Sequence, residues 1–105
     1  MTKIKFYTQN NCYIGFECIG HTGFAEEGSD ILCSAISALT QSAVLGLTKV
    51  LNLKANFEKK EGYLKLYLQE NSNEAQIILK TLYLSLKDIS VDNEKYIQIQ
   101  EVKRS

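Results

Sequence analysis

No stretch of the chain approaches 18 uninterrupted apolar residues, so the sequence predicts no membrane-spanning helix. The opening MTKIKFYTQNN lacks an apolar core followed by a cleavage site and does not read as a signal peptide. Net charge is missing too, because 12 basic and 12 acidic side chains cancel. That balance argues against wholesale nucleic-acid binding, where a basic stripe is the usual footprint. No GxGxxG, Walker loop or other phosphate-cradling run occurs. The cysteines number three, an odd count that suggests no disulfide framework and points to a reducing, cytoplasmic setting. Hydrophobicity is not in short supply: at 45% hydrophobic residues the chain does not resemble a disordered one. Its 105 residues, 1–105, fit one domain large enough to bury a core without staples.

One absence is local. Between Lys5 and Lys49 there is no lysine or arginine, whereas Glu17, Glu26, Glu27 and Asp30 fall in that stretch. Residues 6–48 therefore carry about −4, and the remainder, holding every cation, carries about +4. Two readings fit: a buried helix that excludes charge, or an acidic surface facing a basic partner.

What is present is periodicity. Residues 3–8 and 12–19 alternate, with Ile4 and Phe6 on one side of the first run and Ile14, Phe16 and Cys18 together in the second. Gln9, Asn10 and Asn11 join them as a turn, giving an N-terminal hairpin. Gly20 to Gly28, GHTGFAEEG, has three glycines (Gly20, Gly23, Gly28) and no period, and reads as a mobile loop. Ser29 or Asp30 caps a helix running to about Leu51, with Ile31, Leu32, Ala35, Ile36, Leu39, Ala43, Leu47 and Val50 as its apolar stripe. Lys49 is its only charge, so this helix needs cover on more than one side, and a second subunit is the expected cover. Asn56–Lys60 and Tyr63–Leu68 flank Glu61-Gly62 as a second hairpin. Asn71 and Glu74 have the spacing of a capping box for a second helix, striped by Ala75, Ile78, Leu79, Leu82, Leu86 and Ile89. Glu94–Val102 closes the chain as a strand. The order β-β-α-β-β-α-β predicts an α+β fold in two layers, a largely antiparallel sheet with two helices on one face.

Nucleophile candidates are Cys12, Cys18 and Cys33, and the only histidine is His21. A shared metal fits poorly. Cys12 and Cys18 on one strand would lie about 20 Å apart, too far for one zinc ion, and Cys18 and His21 would point to opposite faces. Cys33 and His21 make a better pair. Cys33 is placed in the first turn of the helix, where the partial positive charge of the N-terminus favours a thiolate. It lies with Ser37, Thr40 and Val44 at the margin of the stripe, able to see both core and solvent. The glycine-rich loop could bring imidazole and thiol together, His21 raising the thiolate fraction and later protonating a leaving amine. The bland alternatives are Cys33 as a small hydrophobe at a helix start and His21 as an exposed loop residue. Cys12 and Cys18 read as a turn residue and a core residue.

The run Gly20 to Ser37, GHTGFAEEGSDILCSAIS, resembles the signature of the ribosomal-processing cysteine protease (Prp) family. The matching residues are Gly20-His21, Gly28-Ser29-Asp30, Ile31-Leu32, Cys33, Ser34-Ala35 and Ser37, with Ser34 where the family often has alanine. Length and element order are similar across the chain. The resemblance implies a small cytoplasmic homodimer that removes a short N-terminal extension from a large-subunit ribosomal protein, cutting after an apolar, aromatic-ended segment. It implies Cys33 as nucleophile and His21 as general base, then general acid. Asp30 would support the site by capping the helix, holding the loop or orienting His21. Gly20, Gly23, Phe24 and Gly28 would belong to a substrate-gating loop. No cofactor or metal is implied, and neither nucleic acid nor membrane is expected as a partner. Against a standing thiolate, Glu26, Glu27 and Asp30 place negative charge near Cys33, so the pair is expected to assemble when substrate enters. The competing classes are a non-catalytic homodimeric ribosome-assembly binding module and a thiol-based redox sensor, neither of which would cut a peptide.

Overall fold

The computed structural model describes residues 1–20 and 29–104, except for the side chains of Ser29 and Asp30. Five strands, β1 (Thr2–Gln9), β2 (Cys12–Ile19), β3 (Ala55–Lys60), β4 (Tyr63–Leu68) and β5 (Ile97–Lys103), form one sheet in the order β3-β4-β2-β1-β5. Two helices, α1 (Ser29–Leu45) and α2 (Asn73–Val91), share its core. Three strand pairs are antiparallel, and β1 and β5 run parallel. The α+β class and the element order therefore stand as expected.

The two-residue period decides which face is buried. Ile4 pairs Cys18, which pairs Leu64; Phe6 pairs Phe16, which pairs Leu66. All six are buried, packed beneath Leu32, Ile36, Ala43, Val44 and Leu47 of the first helical segment and Ala75, Leu79, Leu82 and Leu86 of α2. Phe6 sits at the centre, with its ring centroid 5.8 Å from Phe16 and 5.2 Å, edge-on, from Tyr83. The first hairpin closes through Asn10 and Asn11 at φ of 54° and 63°, the pair of positive values that a two-residue hairpin turn of type I′ requires.

Several boundaries differ from the sequence reading. α1 ends at Leu45, and Gly46–Val50 continues it as a π-helical turn, closed by the Leu51 N–H donating to the Gly46 carbonyl at 2.9 Å. Gly46 lies against Ile78, whose Cδ1 would be 3.1 Å from an added Cβ. Asn52, at φ 56°, then breaks the helix in the left-handed region. Ile31 and Val50, assigned to the apolar stripe, are both 78% exposed. The wider turn is why Val50 leaves the face on which Leu47 is fully buried. α2 is capped by Ser72, whose side chain accepts from the Ala75 N–H at 3.0 Å, not by an Asn71–Glu74 box. Asn71 instead accepts from the Ser72 N–H and from Gln76. The last strand begins at Ile97, because Asn93–Tyr96 form a turn in which the Tyr96 and Ile97 N–H groups both donate to the Asn93 carbonyl. Ile31–Val50 is long and apolar enough by composition to cross a membrane, at a mean hydropathy of 1.6, which the run-length criterion missed. Its inner face is nevertheless part of the core against the sheet.

The opposite face of the sheet is polar. There Glu17 accepts from the Tyr7 hydroxyl at 3.0 Å and from the Tyr63 hydroxyl at 2.7 Å. Burial pushes the Glu17 carboxyl up, but the hydroxyls of Tyr63 and Tyr7 and the charges of Lys5 and Lys65 outweigh it and hold it below the ordinary value. Burial, with the Glu17 carboxylate, pushes Tyr7 up to about 12. Glu17 is thus neutralised among cations and does not contribute to an acidic surface, as the charge asymmetry had suggested it would.

A carboxyl depressed in the folded state contributes stability above its unfolded value and loses it as pH falls through the folded one. Glu17→Gln is therefore expected to cost about 1 kcal/mol at neutral pH. The gap from wild type should narrow as pH falls from the ordinary glutamate value of about 4.3 through the lower folded value, and close once the carboxylate is protonated in both states. Urea titrations of both proteins across pH check it.

Candidate active site

A groove of about 720 Å³ opens between α1 and the β3–β4 hairpin, a size suited to a short peptide segment. One wall is the α1 row Cys33, Ser37 and Gln41; the other is the turn Lys59–Tyr63. Cys18, Ile36, Thr40 and Leu64 also line it. The i, i+4 spacing of Cys33, Ser37 and Gln41 puts them on one side of the helix. The wall is tied together by Gln41, which donates to Ser37 Oγ at 2.5 Å while its Oε1 accepts from Lys59 at 2.9 Å. Thr40, buried among apolar neighbours, donates its hydroxyl to the Ile36 carbonyl at 2.9 Å, so it brings no unsatisfied polar group into the core.

The three cysteines separate clearly. Cys12 opens β2 opposite Gln9 and is not among the groove residues. Cys18 lines the groove but is buried, and burial, with the Glu17 charge, pushes its thiol up to about 12. Packed in the core, it is held as a neutral thiol at physiological pH and is poorly placed to attack a substrate. Cys33 lines the groove and is half-buried at the margin between core and solvent, as its place on the helical wheel predicts. With Ser29 as the first helical residue, Cys33 is the fifth.

Gly20 closes β2 at φ 112° and donates its N–H to the Gly62 carbonyl at 3.0 Å. An added Cβ would stand 2.4 Å from the Met1 carbonyl oxygen, so no other residue fits without moving backbone. This pins the end of β2 to the hairpin turn that walls the groove. His21, Gly23, Phe24 and Gly28 lie outside the described residues, as does the side chain of Asp30. Sequence reasoning missed Gln41 and Lys59. The row Cys33–Ser37–Gln41 was available from helical spacing, but Lys59 reaches it only through the pairing of β3 with β4. Among the described residues, no group of three His, Cys, Asp or Glu side chains could hold a metal ion.

Residues 1–98 match the family model for cysteine protease Prp. The chain belongs to that family. It is 31% identical over 84 residues to the ribosomal processing cysteine protease Prp of Staphylococcus aureus, covering 76% of this chain and 78% of the relative. Among solved structures, Prp from S. aureus in complex with a substrate peptide is similar at a TM-score of 0.89 and 21% identity, over 97% of this chain and all of that one. SMU.848 from Streptococcus mutans matches at a TM-score of 0.87 and 21% identity, over 99% of each chain. These structural likenesses establish the Prp fold, and family membership makes the chain a cysteine protease.

Cys33→Ala should abolish peptide hydrolysis while changing stability by less than about 1 kcal/mol, since the side chain sits at the edge of the core. Cys12→Ser should keep activity. Cys18→Ala should also keep it, at a cost of about 1 kcal/mol for the lost core atom. Single-turnover cleavage followed by mass spectrometry, with denaturant melts of each variant, reads all three. Gly20→Ala should lose about 1–3 kcal/mol through strain at a left-handed backbone position, measured in the same melts.

Proposed function

We propose that this protease uses a Cys33–His21 dyad to remove a short N-terminal extension from a large-subunit ribosomal protein in the cytoplasm. The observation that carries the assignment of the nucleophile is that Cys33 is the half-buried thiol on the groove, whereas Cys18 beside it is buried and held protonated. The substrate class is supported by the name of the S. aureus relative, a ribosomal processing protease. In the reaction, His21 takes the thiol proton as Cys33 Sγ attacks the scissile carbonyl carbon. The tetrahedral intermediate collapses to a thioester as His21 returns the proton to the departing amine. Water, deprotonated by the same imidazole, then attacks the thioester and releases the acid and the thiol. The groove would hold the extension in an extended form between α1 and the β3–β4 turn, with apolar side chains toward Ile36 and Leu64. Asp30 supports the site from the helix start. The segment from Gly20 through Gly23 and Phe24 to Gly28 would act as the gate, bringing His21 to Cys33 when an apolar substrate segment packs on Phe24.

We also propose a homodimer joined through the helical layer. Exposed apolar residues recur there at seven-residue steps: Ile77, Leu84 and Val91 on α2, with Ile31 and Leu45 two such steps apart on α1. Seven residues is close to two helical turns, so each set forms a line along its helix. Such lines call for a partner of the same character.

Incubation with a peptide spanning the extension should give two fragments with wild type and none with His21→Ala or Cys33→Ala. An intact peptide with the wild-type enzyme would favour the binding-module alternative, and loss of reactivity after peroxide without any cleavage would favour the redox sensor. Sedimentation at micromolar concentration should give a dimer, and Leu84→Glu should give a monomer.

A further inference from the structure

We infer that the open face of the sheet is a docking surface for single-stranded RNA, which meets the peptide groove at its rim, where Lys60 and Tyr63 belong to both. Strand pairing aligns its outward residues in rows. One row reads Gln98, Lys3, Ile19, Tyr63, Lys60 across β5, β1, β2, β4 and β3; the next reads Gln100, Lys5, Glu17, Lys65, Glu58. A third runs Val102, Tyr7, Gly15, Tyr67, Asn56, with Arg104 lying over it, its guanidinium 4.6 Å from the Tyr7 ring centre and donating to the Tyr67 hydroxyl at 2.9 Å. Five cations, Lys3, Lys5, Lys60, Lys65 and Arg104, share this face with two carboxylates. Both carboxylates are already engaged, Glu17 by two tyrosines and Glu58 by Lys60 at 3.3 Å. The neutrality of the whole chain hides this segregation: the face carries a surplus of three positive charges, which the rest of the chain cancels.

The chemistry favours RNA over an acidic protein. From Lys3 to Lys60 the cations span three strand spacings, about 14 Å, longer than one phosphate and suited to a polyanion. They are interleaved with rings. Tyr7 and Tyr67 lie 5.0 Å apart, while Lys65 and Lys60 stand over Tyr67 and Tyr63 at 4.8 and 5.2 Å. Gly15 makes room for this layer, since a Cβ there would come within 3.1 Å of the Tyr67 ring. Tyr7 is buried beneath Arg104, so the half-exposed rings of Tyr63 and Tyr67 and the Arg104 guanidinium are the planes on which unpaired bases stack while lysines turn to the phosphates. An acidic peptide would use the cations alone.

The test is fluorescence anisotropy of the full chain with a short labelled oligouridylate, and with a labelled polyglutamate of equal charge as comparator. RNA should bind with micromolar affinity. Four phosphate contacts should give a slope of log K against log salt near −3, about a fiftyfold loss between 50 and 200 mM. K3Q/K5Q/K65Q should weaken binding tenfold or more with Cys33 alkylation unchanged, and R104A, which removes a stacking plane as well as a charge, should weaken RNA more than polyglutamate. In the wild type, ultraviolet crosslinks mapped by mass spectrometry should fall on Tyr63 or Tyr67, a readout independent of how the variants fold. Three results would each overturn the inference: no RNA binding, equal binding of polyglutamate, or the same loss from K49Q/K80Q/K87Q on the helical layer.

Discussion

The pairing of Ile4 with Cys18 and Leu64, and of Phe6 with Phe16 and Leu66, is the constraint on which the rest of the molecule depends. These rows place six buried side chains beneath two helices, and because strand side chains alternate strictly, one residue of slip would turn all of them to water. The same register turns Tyr7, Glu17 and Tyr63 to the other face, where they form a hydrogen-bonded set. It also delivers the end of β2 to Gly20, whose N–H meets the Gly62 carbonyl at the turn of the second hairpin. Core, open face and groove wall are therefore consequences of one alignment.

The groove separates two thiols by environment rather than by chemistry. Cys18 and Cys33 are the same functional group within one cavity, yet the first belongs to the core rows and the second to the edge of a helix. Burial disfavours the charged form, so the protein suppresses one sulfur by packing it and leaves the other at the boundary between core and solvent. The hydrogen-bonded link from Ser37 through Gln41 to Lys59 holds the helix carrying Cys33 against the facing strand. It fixes the width of the groove with side chains from two elements far apart in sequence.

Much of this was legible in the sequence, because alternation and helical period are local. The strands, both helices, the order of elements, the buried Cys18 and the marginal place of Cys33 all follow from spacing. The family was legible in a different way, from the resemblance of GHTGFAEEGSDILCSAIS to its signature. What escaped depended on contacts between elements. The π turn at Gly46–Val50 arises where the helix meets Ile78. Ser72 displaced Asn71 as the cap because Asn71 engages Gln76, which in turn exchanges hydrogen bonds with the Tyr13 backbone on β2. Glu17 looked like part of an acidic half, and only pairing with β1 and β4 shows it flanked by Lys5 and Lys65. The pairing of His21 with Cys33 falls on residues beyond those described.

The groove is bounded by β3, which among the described residues has a strand neighbour on one side only. A sheet edge bordering an open groove is a hazard in a crowded cell, because unsatisfied main-chain groups accept any extended chain and template self-association. Glu58, Lys59 and Lys60 place three consecutive charges on this edge, all exposed. Charged edges resist stacking of one sheet on another, so these residues act as gatekeepers against aggregation. Solubility and the character of the groove wall are thereby set by the same short strand, and a change that made this wall greasier would erode the colloidal stability of the enzyme.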